Sequence, residues 1–314
     1  MVFARRGWIS RLRPAWLLAV PLAVLAVLAT STVTAPGPVA ARAAAPYAVT
    51  QVQALPVPAL LRWHRTPPPL AAGLRRQVVR FRVGGLLREY VEVSAVHPHG
   101  PQALVLVLHG RRQSAWRAEA TQHWDAVARA GLAVVVYGAG WAGSWDAGSC
   151  CGKAARQQVD DVGYLTSVVH RVEATHLIDR QRVDLAGFSN GGMMAYRFAC
   201  ARADLVSAVA VVAGSLQVSD CHPARPISVL DVQGDRDPVV PFRGSRFSWF
   251  AGSPITSIPQ SLAPWRRVDR GTREVVRLLG VPGLRHDWPT ERNADLDATA
   301  LIWRFFRSHP LVVA

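Results

Sequence analysis

Residues 183–192 read Val-Asp-Leu-Ala-Gly-Phe-Ser-Asn-Gly-Gly. An apolar run ends at Ala186, a few residues allow a sharp turn, and a helical pattern opens just beyond Ser189. Gly187-Phe188-Ser189-Asn190-Gly191 is therefore a G-x-S-x-G pentapeptide in a strand–turn–helix setting, the setting of a nucleophile elbow. Small neighbours let such a turn close and push the serine hydroxyl out at the top of a sheet. The helix that follows favours negative charge developing at its start. A hydroxyl needs a general base to become nucleophilic, and the base needs an acid to orient it.

Three histidines lie downstream, His222, His286 and His309. His222 precedes the next strand and His309 trails the last helical pattern, so both read as surface residues. His286 falls in a loop between a late strand and that last helix, where a base returning to Ser189 belongs. The acid should follow the apolar run Ile227–Val232, where Asp235 and Asp237 both stand. Asp237 is the expected orienter, and Asp235 reads as a turn residue or a partner of Arg236. The oxyanion of acyl transfer needs two backbone N–H donors. Asn190 supplies one, and Arg111 is the expected second, with Gly110 as alternate. His109 reads as a core or turn histidine.

Two other motifs fail the test of context. Gly138-Ala139-Gly140-Trp141-Ala142-Gly143 matches G-x-G-x-x-G and follows a strand, but a loop with two cysteines comes next where a dinucleotide site needs a helix. His97-Pro98-His99 lacks a third ligand and reads as an exposed turn. No cofactor and no metal are expected.

The elements that must position these residues follow from periodicity. Val79–Val83 and Val91–Ala95 alternate and flank Gly84-Gly85, an antiparallel pair. Mostly apolar runs follow at Ala103–Leu108, Leu132–Tyr137, Val183–Ala186, Ala208–Val212, Ile227–Val232 and, more weakly, Val275–Leu279. Strands buried on both faces have this composition. Helical patterns at 118–130, 159–172, 192–203 and 298–308 lie between or after them, with Asp160-Asp161 and Asp297 at helix starts. The expected class is α/β: one domain over 76–309, its sheet mostly parallel and helices on both faces.

Residues 1–43 read as a signal peptide, with Arg5, Arg6, Arg11 and Arg13 before the uncharged stretch Ala15–Val33 and Ala41-Arg42-Ala43 as the cleavage site. An uncleaved anchor is the alternative. Residues 44–75 form a Pro/Ala-rich arm. An exported chain makes disulfide candidates of Cys150, Cys151, Cys200 and Cys221. A vicinal bridge would be strained. The expectation is therefore Cys150–Cys200 with Cys151–Cys221, or the crossed pairing. The chain has 36 basic and 21 acidic residues, a net +15, with 50% hydrophobic residues. That apolar content excludes a disordered chain. Loss of the leader's five arginines lowers +15 to +10. Lys153 is the sole lysine, so the excess reads as an arginine preference. Nucleic acid is not an expected partner, while weak association with anionic cell-envelope surfaces is.

Several segments occur in a telling order: His109-Gly110, Cys150-Cys151-Gly152, Asp160-Asp161-Val162-Gly163, the stretch Gly187–Tyr196, Gly234–Pro241 and His286-Asp287-Trp288-Pro289. Together they resemble the polyhydroxybutyrate depolymerase and feruloyl esterase group of bacterial esterases, over residues 76–309. The resemblance implies an α/β-hydrolase fold and a secreted serine esterase with Ser189, Asp237 and His286 as its triad. The ester would be a small molecule, a polyester such as a polyhydroxyalkanoate, or a feruloyl or acetyl group on a polysaccharide. Gln233 stands where the group usually has histidine. An acyltransferase, with an alcohol in place of water, and a non-catalytic binding protein on the same scaffold are the alternatives.

Overall fold

The computed structural model describes residues 67–249 and 251–311, all within one compact unit that spans Pro56–Ala314. The expected signal peptide at 1–43 and the arm as far as residue 66 lie outside the described residues.

The chain opens with a hairpin, β1 (Leu74–Val83) and β2 (Leu86–Ala95), turned by Gly84 and Gly85 at φ 54° and 81°. Both angles are left-handed, as a two-residue hairpin turn of this twist requires. β1 thus begins two residues before the expected domain start at 76. Next come β3 (Gln102–Leu108), helices α1 (Ala115–Gln122) and α2 (Asp125–Arg129), and β4 (Ala133–Gly138). The single helix expected over 118–130 is two, because His123 takes a left-handed conformation (φ 55°) and ends α1. The short α3 (Gly152–Arg156) and the long α4 (Asp161–Thr175) lead to β5 (Ile178–Phe188), α5 (Asn190–Ala201), β6 (Ala208–Val212) and β7 (Ser228–Gly234). A small hairpin of β8 (Ser245–Ser248) and β9 (Ser253–Ile255) is followed by α6 (Ile258–Val268), β10 (Val276–Val281) and α7 (Ala298–Ser308).

Among the described residues the main sheet has eight strands in the order β1-β2-β4-β3-β5-β6-β7-β10. β1 and β2 are antiparallel to their neighbours, and from β4 to β10 every pairing is parallel. The period of two sorts the side chains. Leu104, Leu106 and Leu108 of β3 join the core with α4, α5 and α6 on one face. Ala103, Val105 and Val107 join the core with α1, α2 and α7 on the other. Each leucine or valine side chain taken fully out of water contributes about 1.5–3 kcal/mol before the chain's ordering is charged against it. The parallel strands all end on one edge, so the loops after β3, β5, β7 and β10 meet there.

The cysteines pair differently from expectation. Cys200, on the last turn of α5, bonds Cys221, with 5.2 Å between their Cα atoms. Cys150 and Cys151 bond each other. The reason is reach. Cys151 Sγ lies 3.9 Å from Met193 Sδ near the start of α5. Cys200 is seven residues further along that helix, about 10 Å at 1.5 Å per residue, beyond the span of a disulfide.

Candidate functional site

Ser189 sits between β5 and α5 at φ 54° and ψ −122°, a backbone conformation that β-substituted residues rarely adopt. Its glycine neighbours make the turn possible. A Cβ on Gly187 would strike the backbone of Gly191 and Gly192, and one on Gly191 would strike the carbonyls of Leu108 and His109. The elbow is thus pressed against the end of β3.

His286 arrives from the loop after β10. Its Nε2 is 2.8 Å from Ser189 Oγ, and its Nδ1 is 2.8 Å from Asp237 Oδ2. Gly234 lets that loop close in, since a Cβ there would meet the carbonyls of Leu284 and Arg285. Asp237 follows β7, and its Oδ1 accepts the backbone N–H groups of Val239 (2.8 Å) and Val240 (2.9 Å). A carboxylate fixed in this way is an acceptor, so His286 Nδ1 carries the hydrogen and Nε2 faces the serine hydroxyl as acceptor. Asp235 Oδ1 instead accepts the Gly283 N–H at 2.7 Å and braces the histidine loop, a turn role.

Two side chains beyond the triad, Gln233 and Asn190, hold this arrangement. The Gln233 side chain donates to Val240 O at 2.7 Å and to Asp237 Oδ2 at 3.3 Å. Its position next to Gly234 was the available signal. The Asn190 amide accepts from Trp145 N (2.8 Å) and donates to Trp145 O (3.1 Å), clamping the loop after β4 over the elbow. That loop is also tied by Asp161, which accepts Asp146 N at 2.7 Å and pairs with buried Arg88 at 2.6 Å. Burial raises the Asp161 carboxyl, and the Arg88 charge opposes that rise. Asp160, and not Asp161, caps α4, accepting Gly163 N at 2.7 Å.

The expected backbone donors lie at the same place. Asn190 is the first residue of α5, while Arg111 stands in the turn closed by Gln113 N on Gly110 O at 3.1 Å. Both residues line a cleft of about 390 Å³ together with Ser189, His286, Met193 and Trp249. His109 is a buried structural residue. Its Nδ1 meets Gly110 O at 2.8 Å and its Nε2 accepts Gly140 N at 3.0 Å. His97 and His99 are exposed, and among the described residues no cluster of three potential ligands could hold a metal.

No protein-family profile matches the chain. It is 35% identical over 225 residues to a putative esterase of Nocardia uniformis, covering 70% of this chain and 64% of that protein. It is 34% identical over 159 residues to a probable feruloyl esterase C of Aspergillus niger, covering 47% of this chain and 57% of that protein. The chain thus spans less than two thirds of the length of these curated relatives. Among solved structures, a CE1 ferulic acid esterase of Anaeromyces mucronatus superposes with a TM-score of 0.51 at 16% identity, covering 78% of this chain and 94% of that one. The chain has the α/β-hydrolase fold. The resemblance to the feruloyl esterase group drawn from the motifs stands in these alignments. The elbow, the β7 acid and the β10 histidine occupy the edge where this fold gathers its loops. No helix among the described residues is long and apolar enough to cross a membrane.

Proposed function

We propose that this α/β-hydrolase is an exported serine esterase that cleaves carboxylic esters through an acyl-enzyme. The observation that carries the reading is the unbroken chain from Ser189 Oγ through His286 to Asp237, at 2.8 Å for each link and open to a cleft. Ser189 Oγ attacks the ester carbonyl while its proton passes to His286 Nε2. The oxyanion faces the N–H groups of Asn190 and Arg111, each such donor being worth about 10²–10³ in rate. Asp237 holds the imidazole tautomer and stabilises the imidazolium. His286 then gives the proton to the departing alcohol, and water activated by the same nitrogen releases the acid. Export rests on the leader pattern and fits the Cys200–Cys221 disulfide, a bond that persists in oxidising compartments. The ferulate-directed names of the relatives make an aryl-substituted ester a natural first substrate.

The test is labelling of the folded protein by a fluorophosphonate probe, with p-nitrophenyl acetate turnover measured in parallel. Ser189→Ala should abolish labelling and lower turnover by a factor on the order of 10⁴ or more. Full turnover in that variant removes the assignment.

A further inference from the structure

Most buried or half-buried arginines among the described residues have a carboxylate partner. Arg88 pairs with Asp161 at 2.6 Å, Arg197 with Asp146 and Arg202 with Asp204, each at 2.8 Å. One group does not. Arg111, Arg112, Arg117, Lys153 and Arg156 line a single concavity of about 520 Å³, which no acidic side chain lines. None of the five forms an ion pair with a described carboxylate. Its cations come from two segments, the turn after β3 with the start of α1, and α3, where Lys153 and Arg156 stand three residues apart on one helical face, while the loop after β4 completes the wall. The sole lysine of the chain lies here. Gln113, Ser114 and Ser144 line the same hollow and add neutral polar groups.

The position matters as much as the charge. Arg111 and Arg112 line both this hollow and the cleft that holds Ser189 and His286. A ligand whose ester lies at Ser189 therefore has the basic hollow as the next space past the Arg111 turn.

We propose that this hollow binds an anionic group, a carboxylate, sulfate or phosphate, carried by the ester that Ser189 cleaves; this second part rests on the esterase reading above. Like charges held together in a concavity with low-dielectric walls focus the field and draw counter-ions in. Guanidinium groups give such anions paired, directional hydrogen bonds. The Arg111 guanidinium already bears the cost of that crowding. Burial first, and then the charges of Arg112 and Arg156, hold it below its ordinary range, and a bound anion would reverse the second effect. The hollow is also within the size range of small-molecule sites.

Two measurements on the mature protein test the two parts separately. Calorimetry with inorganic pyrophosphate at low salt should give one site per chain. Lys153→Gln/Arg156→Gln should weaken it at least tenfold, whereas Arg304→Gln/Arg307→Gln, exposed on α7, should change it less than twofold. Failure to bind, or equal loss in both double variants, overturns the anion site whatever Ser189 does. Hydrolysis is then compared within two matched ester pairs, 4-acetoxybenzoate against 4-acetoxybenzamide and p-nitrophenyl hemisuccinate against p-nitrophenyl butyrate. An anionic preference of about tenfold or more in kcat/KM in either pair, reduced in Lys153→Gln/Arg156→Gln, supports the substrate assignment and locates the charge on the alcohol or acyl side. No preference in either pair overturns it. Pyrophosphate binding without any ester turnover or fluorophosphonate labelling would leave the anion site standing and sink the esterase reading instead.

Discussion

The floor and the rim of the cleft are built on opposite rules. On the floor, Asp237 is 5% exposed and Ser189 9%, and each key atom has a partner within 3 Å that comes from a strand end or a glycine-enabled turn. The Phe188 ring stacks obliquely on His286 at 5.1 Å, so even the mobile-looking member is held. On the rim, five cations have no carboxylate, and Trp249 is 89% exposed. Preorganised groups suit a fixed reaction, whereas unpartnered ones wait for something outside the chain. On the esterase reading, reaction and selectivity occupy separate parts of this molecule.

The largest effect should come from the floor. Asp237→Asn keeps an oxygen for the N–H groups of Val239 and Val240, so the fold should survive, but the amide can present a donor to His286 Nδ1 and favour the wrong tautomer. The expected loss in kcat is about 10⁴-fold, with melting temperature nearly unchanged. Steady-state kinetics on p-nitrophenyl acetate decides it, and a loss under tenfold would mean that Asp237 is not the orienter. A rim variant such as Lys153→Gln/Arg156→Gln should alter the choice between esters instead.

What could be read from the residues divides along the same line. The floor was legible because its signals are local: all-apolar runs for buried strands, and G-x-S-x-G where a strand meets a helix. Asp237 and Asp235 both follow β7, and the resemblance pointed to Asp237, but only the fold turns Asp235 away to Gly283 N. The rim was not legible. Arg111 and Arg112 lie some forty residues from Lys153 and Arg156, and only the packing of α3 against the turn after β3 joins them. The disulfides failed for a related reason, since helix length and not sequence spacing separates Cys151 from Cys200. The β8–β9 hairpin has strands of only four and three residues, Ser-Arg-Phe-Ser and Ser-Pro-Ile, too short and too polar to show an apolar alternation. α6 did carry a signal, the Ser257–Gln260 capping box, which Pro259 and Pro264 obscured. Among the loop tryptophans, Trp145 and Trp288 are buried in packing, Trp141 is bonded to Gln157, and Trp249 lines the cleft.

The support beneath the floor should respond to pH. Asp231 is fully buried in β7 and accepts a hydrogen bond from Tyr196 of α5 at 2.7 Å. Burial pushes its carboxyl up to about 7, with the Tyr196 bond opposing, and burial raises Asp184 of β5 to about 7 as well. In the unfolded chain both sit near 4. The folded protein therefore holds more protons between those values, and the stability these groups contribute is complete in acid and lost as pH rises through about 7. Melting temperature should fall between pH 5 and pH 8. Asp231→Asn should flatten that fall by roughly 5 °C, the shift that ~2 kcal/mol gives in a domain of this size. A wild-type melting temperature that rises over this range would contradict the assignment. The rim cations should respond to salt instead.

The smallest effect should belong to Trp249, and it isolates the rim from the fold. Its indole stands edge-on to Phe247, with ring centroids 5.1 Å apart, and both side chains are exposed beside the cleft. An exposed aromatic pair contributes little to stability, but a flat substrate group laid against it gains roughly 1 kcal/mol beyond its buried area. Trp249→Ala should therefore lower kcat/KM for a cinnamoyl ester by about fivefold, alter that for p-nitrophenyl acetate by less than twofold, and leave melting temperature within about 1 °C. Equal losses on both esters would place Trp249 with the floor, because a residue that only meets the substrate's distant part cannot slow an acetate.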